Sequence, residues 1–139
     1  MTADQIIALL DLAPHPEGGW FRQTWAGEEA PRPAGTAIYF LLKPGERSHW
    51  HRVDAAEIWH FYAGAALTLR IAETDAGPAG SHRLGPQLST GERPQIFVPA
   101  GHWQSAEAGK GWTLAGCTVS PGFRFEGFEL APAGFDIPG

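Results

Sequence analysis

Hydrophobic positions along this chain change their period once. Behind Thr2 and Asp4, the residues Ile6, Leu9 and Leu10 recur at helical spacing, which predicts one short amphipathic N-terminal helix capped by Thr2 or Asp4. Pro14 and Pro16 end it, because proline lacks an amide donor and restricts the residue before it. From Trp20 onward, short runs rich in aromatic and β-branched residues are separated by glycine and proline clusters, the pattern of a sandwich or barrel. The predicted strands are Gly19–Trp25, Thr36–Leu42, Glu57–Ala63, Ala66–Ala72, His82–Leu84, Gln95–Val98, Trp112–Val119 and Phe123–Leu130. Lys43-Pro-Gly, Ala63-Gly, Ala76-Gly-Pro-Ala-Gly, Ser89-Thr-Gly, Pro99-Ala-Gly and Ser120-Pro-Gly supply turns between them,. Strands in succession without intervening helices predict an all-β fold of two packed Greek keys, since doubling or closing the sheet hides its edges.

Composition narrows the function classes. A chain of 139 residues is long enough for one sizeable core and short for two, so residues 1–139 are read as a single domain. With 43% hydrophobic and 18% charged residues, it carries too much apolar surface to stay disordered. The net charge of -5 and the lack of any basic run argue against nucleic acid as a partner, because such binding draws on clustered Lys and Arg. No apolar stretch approaches the roughly 20 residues that span a bilayer, and no basic segment precedes a hydrophobic leader,. No membrane partner and a cytoplasmic location are therefore expected. The lone Cys117 lies in the apolar run Leu114 to Val119 and reads as a buried small hydrophobe.

The chemistry concentrates in Gly45-Glu-Arg-Ser-His-Trp-His-Arg-Val-Asp-Ala-Ala-Glu-Ile-Trp-His-Phe-Tyr-Ala-Gly64. This stretch resembles the first motif of the cupin superfamily: Gly45, His51, Glu57 and Gly64 fall on its spacing, and Val53 stands at its second histidine. Pro99-Ala-Gly101-His-Trp-Gln104 resembles the second motif, with Gln104 in place of its histidine. Together with His15-Pro-Glu-Gly-Gly-Trp-Phe-Arg-Gln-Thr24 and Leu114-Ala-Gly-Cys-Thr-Val-Ser-Pro-Gly-Phe123, nearly the whole chain resembles cupin family 5, formerly a domain of unknown function. The resemblance implies a double-stranded β-helix, the cupin jelly roll, similar to sugar-nucleotide epimerases and often dimeric. A small-molecule ligand held in the cup and a second copy of the chain, as a homodimer, are the partners it implies.

In that family pattern three histidines and a carboxylate hold a divalent metal. Val53 offers no ligand and Gln104 only an amide oxygen, so a site for Fe, Ni, Zn or Mn built from His51, Glu57 and Gln104 is weakened. His49 could substitute, since His49 and His51 would share one face of an extended segment. Along the strand from Glu57, alternation puts Glu57, Trp59 and Phe61 on one face and Ile58, His60 and Tyr62 on the other. If Glu57 faces the cup, Trp59 and Phe61 line it, and His60 takes a structural place outside. Of the six tryptophans, Trp20, Trp25 and Trp112 read as core or dimer-contact residues. Trp50, Trp59 and Trp103 lie beside the motif residues and serve equally as a stacking platform or as core. Arg22 and Tyr39 are further candidate substrate contacts, Arg22 as an ion-pair partner or an anion receptor.

Three functional classes stay open. In the first, an isomerase or epimerase acts on a sugar-like or keto substrate, with His51 moving a proton next to a carbonyl and Glu57 orienting it. The second is a metal-dependent oxygenase or isomerase using His51, Glu57, Gln104 and His49. The third is a non-catalytic module holding a small metabolite in an aromatic cup.

Overall fold

A computed structural model describes all residues from Met1 to Gly139. Thr2 caps helix α1 (Ala3–Leu10): its hydroxyl accepts from the Gln5 amide and the Gln5 side chain accepts from the Thr2 amide. That reciprocal pair satisfies two end donors that would otherwise lack partners. Asp11, left-handed at φ 55°, turns the chain into the strands β1 (Ala13–Pro14), β2 (Trp20–Ala26), β3 (Thr36–Leu42), β4 (Arg47–Val53), β5 (Ala56–Gly64) and β6 (Leu67–Ala72). Then follow β7 (Gly80–Leu84), β8 (Gln95–Val98), β9 (Trp103–Ala108), β10 (Thr113–Ser120) and β11 (Phe128–Leu130). No helix is long and apolar enough to cross a membrane.

The strands form two antiparallel sheets, a six-stranded one in the order β1-β2-β3-β10-β5-β8 and a five-stranded one in the order β11-β4-β9-β6-β7. Consecutive strands repeatedly switch sheets, which is the jelly-roll arrangement that the cupin resemblance implied. Besides the two-residue β1, two strands escape prediction. Arg47–Val53 and Trp103–Ala108 are rich in polar residues and poor in β-branched ones, yet they pair with each other and bury His51, Val53, Gln104, Ala106 and Ala108 inward. Conversely, of the predicted strand Phe123–Leu130 only Phe128–Leu130 is extended, after a single 3-10 turn at Phe125–Gly127.

One part of the interior is packed solid. Phe40, Leu42, Trp59, Leu67, Leu69, Leu84, Val98 and the small residues Ala106, Ala108 and Ala115 form its core, where alternating strand residues from both sheets interdigitate. Burying such side chains contributes about 1.5–3 kcal/mol each for the large ones. Outside the five-stranded sheet, Trp50, Ala72 and Trp103 pack under the C-terminal residues Ala131 and Ile137. The Trp50 indole donates to Asp136 at 2.8 Å, and Arg70 lies over its ring. Helix α1, through Ala3 and Ile6, and Leu12 just after it cover the other sheet against Leu41.

Candidate functional site

Towards the β4–β5 turn the two sheets do not meet, and a cavity of about 210 Å³ remains. Phe21 and Gln23 on β2, Thr36 and Ile38 on β3, and His51 and Val53 on β4 line it. Glu57 on β5 and Cys117 and Val119 on β10 complete the strand walls. Each pair is two residues apart, as the pleat requires for side chains sharing a face. Phe123 and Phe125, from the segment after β10, close one side. The rim there is tied by Asp54, which accepts from Arg32 at 2.7 Å and from Arg124 at 3.2 Å, while Arg32 also donates to the Gly122 carbonyl.

His15 and Glu17 enter from the loop between β1 and β2. The His15 amide donates to the Gly19 carbonyl at 2.9 Å, the Gly18 amide to the His15 carbonyl at 3.0 Å, and the His49 amide on β4 to the Glu17 carbonyl at 2.7 Å. Gly18 and Gly19 adopt φ of +104° and +80°, and a Cβ on Gly18 would lie 2.3 Å from the Arg47 carbonyl oxygen. Only glycine lets the loop lie this close to β4, and that approach carries the Glu17 side chain indoors.

Glu17 is 8% exposed and accepts a hydrogen bond from the Ser48 hydroxyl. Its carboxyl oxygens approach two imidazoles, His15 Nδ1 at 3.3 Å and His51 Nε2 at 3.5 Å. Partners fix the protons on both rings. His51 Nδ1 lies 2.7 Å from the His49 carbonyl, an acceptor, so it carries the hydrogen and Nε2 presents a lone pair to the cavity. His15 Nδ1 accepts from the Glu17 amide at 3.1 Å, a donor, so that nitrogen is bare when the ring is neutral.

Burial favours the uncharged form of each of these groups. It lowers the His15 pKa to about 4, aided by charge on His51, and it lowers that of His51 despite the opposing pull of Glu57. Burial raises Glu17 to about 8 against the Ser48 hydrogen bond. A protonated Glu17 then has basic ring nitrogens within reach, which is a stored acid beside a ready base. Burial likewise raises Glu57, although His51 opposes the shift. The Cys117 thiol is pushed well up by burial and then by the carboxyls of Glu57 and Glu17, so it is no thiolate nucleophile.

Glu57 Oε1 accepts from the Gln104 amide nitrogen at 2.9 Å, and Gln104 Oε1 accepts from the Trp59 indole at 2.7 Å. Because an indole nitrogen only donates, the atom facing Trp59 must be the amide oxygen. The oxygen expected as a metal ligand is therefore engaged, and Gln104 turns an N–H to Glu57 instead. With Val53 contributing nothing, no group of three or more His, Cys, Asp or Glu side chains is placed to hold a metal ion. The residues present do not fit the four-ligand metal site of the resemblance.

The structure brings His51 and Glu57 to one hollow and sends several other candidates elsewhere. Trp50 faces away from His51 and lies under the C-terminal tail; Trp103 packs there too, beside Phe135. A register shift between Ser48 and His51 breaks the expected alternation, so His49 turns its Nε2 to the Pro132 carbonyl at 2.9 Å and shares no face with His51. Trp59 does follow Glu57 inward, but two residues farther along β5 it is inside the packed core, edge-on to Phe40. Phe61 packs against the same core. Neither ring lines the cavity.

Arg22 lies on the outer face of β2, between the inward Phe21 and Gln23, and donates to the Leu10 carbonyl at 3.3 Å. Tyr39 also points outward, edge-on to Tyr62. His60 is on that outer face, against Thr118 and Gln95. Trp20 and Trp112 pack around α1, whereas Trp25 is 56% exposed. The sequence reading missed His15, Glu17 and Ser48. The signal for the first two was the charged residue standing directly before Gly18-Gly19.

Comparison with known proteins supports the same architecture. Residues 4–131 match the family described as "Cupin superfamily (DUF985)". Protein SO0799 from Shewanella oneidensis is 41% identical with a TM-score of 0.88, over 94% of this chain and 85% of that one. A hypothetical protein from Leishmania major is 30% identical with a TM-score of 0.86, over 94% and 88%. Oxalate decarboxylase from Bacillus subtilis shares the fold at 19% identity and a TM-score of 0.66, this chain spanning 30% of its length. No curated protein matches.

Proposed function

The chain belongs to the DUF985 family of the cupin superfamily, and on that premise we propose that its cup binds a small hydroxy-carbonyl compound and interconverts its isomers by proton transfer. The observation that carries this reading is the His51 ring: its Nδ1–H is spent on the His49 carbonyl, leaving the Nε2 lone pair in an enclosed cavity 3.5 Å from Glu17. His51 removes the proton from the carbon beside the carbonyl, and the electron pair of that C–H bond forms the carbon–carbon double bond. Glu17 delivers its proton to the carbonyl oxygen, giving an enediol. Return of a proton to the other carbon, or to the other face of the first, yields the isomer or epimer. Glu57, held by Gln104, lines the same cavity and bounds the substrate there.

Wash-in of solvent deuterium at the α-carbon of small hydroxyketones tests it, read by NMR. His51→Gln keeps a side-chain N–H donor but removes the basic ring nitrogen, and a fall of about 100-fold or more is expected from general-base catalysis. Exchange that survives the substitution overturns the mechanism. The same reading includes a homodimer through the outer face of the six-stranded sheet, where Tyr62 and Phe97 are 52% and 56% exposed. Light scattering should give twice the 15.0 kDa chain mass; the single mass removes the dimer.

A further inference from the structure

We propose that the cup is selective for uncharged ligands and rejects carboxylates and phosphates, so that the substrate class is a neutral hydroxy-carbonyl compound with an apolar body. This inference uses the same cavity as the isomerase reading but depends on binding alone.

No lysine or arginine lines the cavity, although the chain carries 10 of them. Those nearest its rim are committed elsewhere. Arg124 stands between Phe123 and Phe125, which face inward, and turns out to Asp54; Arg32 is spent on Asp54 and on Gly122. Arg52 pairs with Glu129 on the outside and stacks on Trp103, and Arg22 bonds back to α1. Nor does a helix end offer positive charge, because α1 packs outside the six-stranded sheet. An entering anion would instead meet Glu17 and Glu57, both deeply buried. A desolvated anion without a cationic partner is strongly disfavoured.

A cation fares little better. Glu17 and Glu57 already hold Ser48 and Gln104 as donors, and burial favours their protonated forms. An ammonium would have to displace a proton from one of them as it lost its own water. A neutral ligand only exchanges hydrogen bonds: its carbonyl or hydroxyl meets Glu17 and His51, while Phe21, Ile38, Val53 and Val119 receive its hydrocarbon part. The volume of about 210 Å³ lies below the about 300–1,000 Å³ common for drug-sized ligands. That size excludes a sugar nucleotide with its diphosphate inside the cup.

The test is a titration of the full-length protein at pH 7 with probes on one carbon frame, read by ligand-detected NMR. The probes are cyclohexanol and 2-hydroxycyclohexanone as neutral ligands, cyclohexanecarboxylate as the anion and cyclohexylamine as the cation. Saturable binding of both neutral probes, with the carboxylate at least tenfold weaker and the amine no tighter than the alcohol, is expected. Competition between the neutral probes and line broadening of Phe21 and Val119 resonances should place binding in the cup. A smaller discrimination in the wild type, a tighter amine, or no saturable neutral binding overturns the proposal. Selective binding of 2-hydroxycyclohexanone without deuterium wash-in would sink the isomerase reading and leave this one standing. Exchange accompanied by equally tight carboxylate binding would do the reverse.

Discussion

The two ends of the barrel interior are built from the same pleated strands and differ in what those strands point inward. On β5, Trp59 and Phe61 enter a packed core, while Glu57, two residues earlier, faces a hollow. On β10 the same transition runs from Ala115 to Cys117 and Val119, and on β3 from Phe40 to Ile38 and Thr36. The boundary is the hydrogen-bonded chain Trp59–Gln104–Glu57, an apolar ring at one end and a carboxyl at the other. Stability and chemistry thus occupy opposite ends of one sheet pair, and the hollow tolerates buried polar groups because the packed end supplies the apolar burial.

The sharpest way to break that contrast is at the boundary ring. Trp59→Ala should cost about 3–5 kcal/mol, the range for large-to-small aromatic substitutions in cores, measured by urea unfolding. A cost near that of a surface change would show the packed end to be looser than its burial implies. Next in size is overpacking. Ala106→Val adds bulk where Ala106 is 2% exposed and should cost about 1–3 kcal/mol, whereas Val119→Leu, facing the hollow, should stay within about 1 kcal/mol while weakening ligand binding. Equal costs at both positions would erase the distinction.

The last effect is one of pH. Glu17 ionises near 4.5 ordinarily and near 8 in the folded chain, so its protonated form stabilises the fold fully below about pH 4.5. That contribution is lost as pH rises towards 8, because the unfolded chain releases the proton first. Glu17→Gln cannot ionise. Relative to the wild type it should therefore gain at least about 1 kcal/mol between pH 5 and pH 8, followed by denaturant unfolding at several pH values. A difference that stays flat would mean that Glu17 is ionised in the fold.

Much of the fold is legible in the sequence, because Thr36–Leu42, Gln95–Val98 and the body of β10 are apolar runs bounded by turn residues. The placement of His51 and Glu57 in one hollow is legible too, from motif spacing and the period of two. What fails to read out is whatever depends on long-range packing. Alternation in an extended segment already sets Trp50 opposite His51, but the tail that buries it arrives from residues 131–137, too far along the chain for periodicity to indicate. His49 is displaced by a local register shift that no periodicity announces. Glu17 belongs to a loop with no period at all, and its burial rests on the contact between Gly18 and β4.

The Asp54 tie at the rim has a further consequence. Arg32 and Arg124 approach a carboxylate that is itself 36% exposed, so the segment carrying Phe123 and Phe125 is fastened by charge in contact with water while the far end of the barrel is fastened by apolar packing. Rising ionic strength screens the first and leaves the second untouched. The wall formed by Phe123 and Phe125 is thereby set to loosen in brine, with the scaffold behind it unchanged.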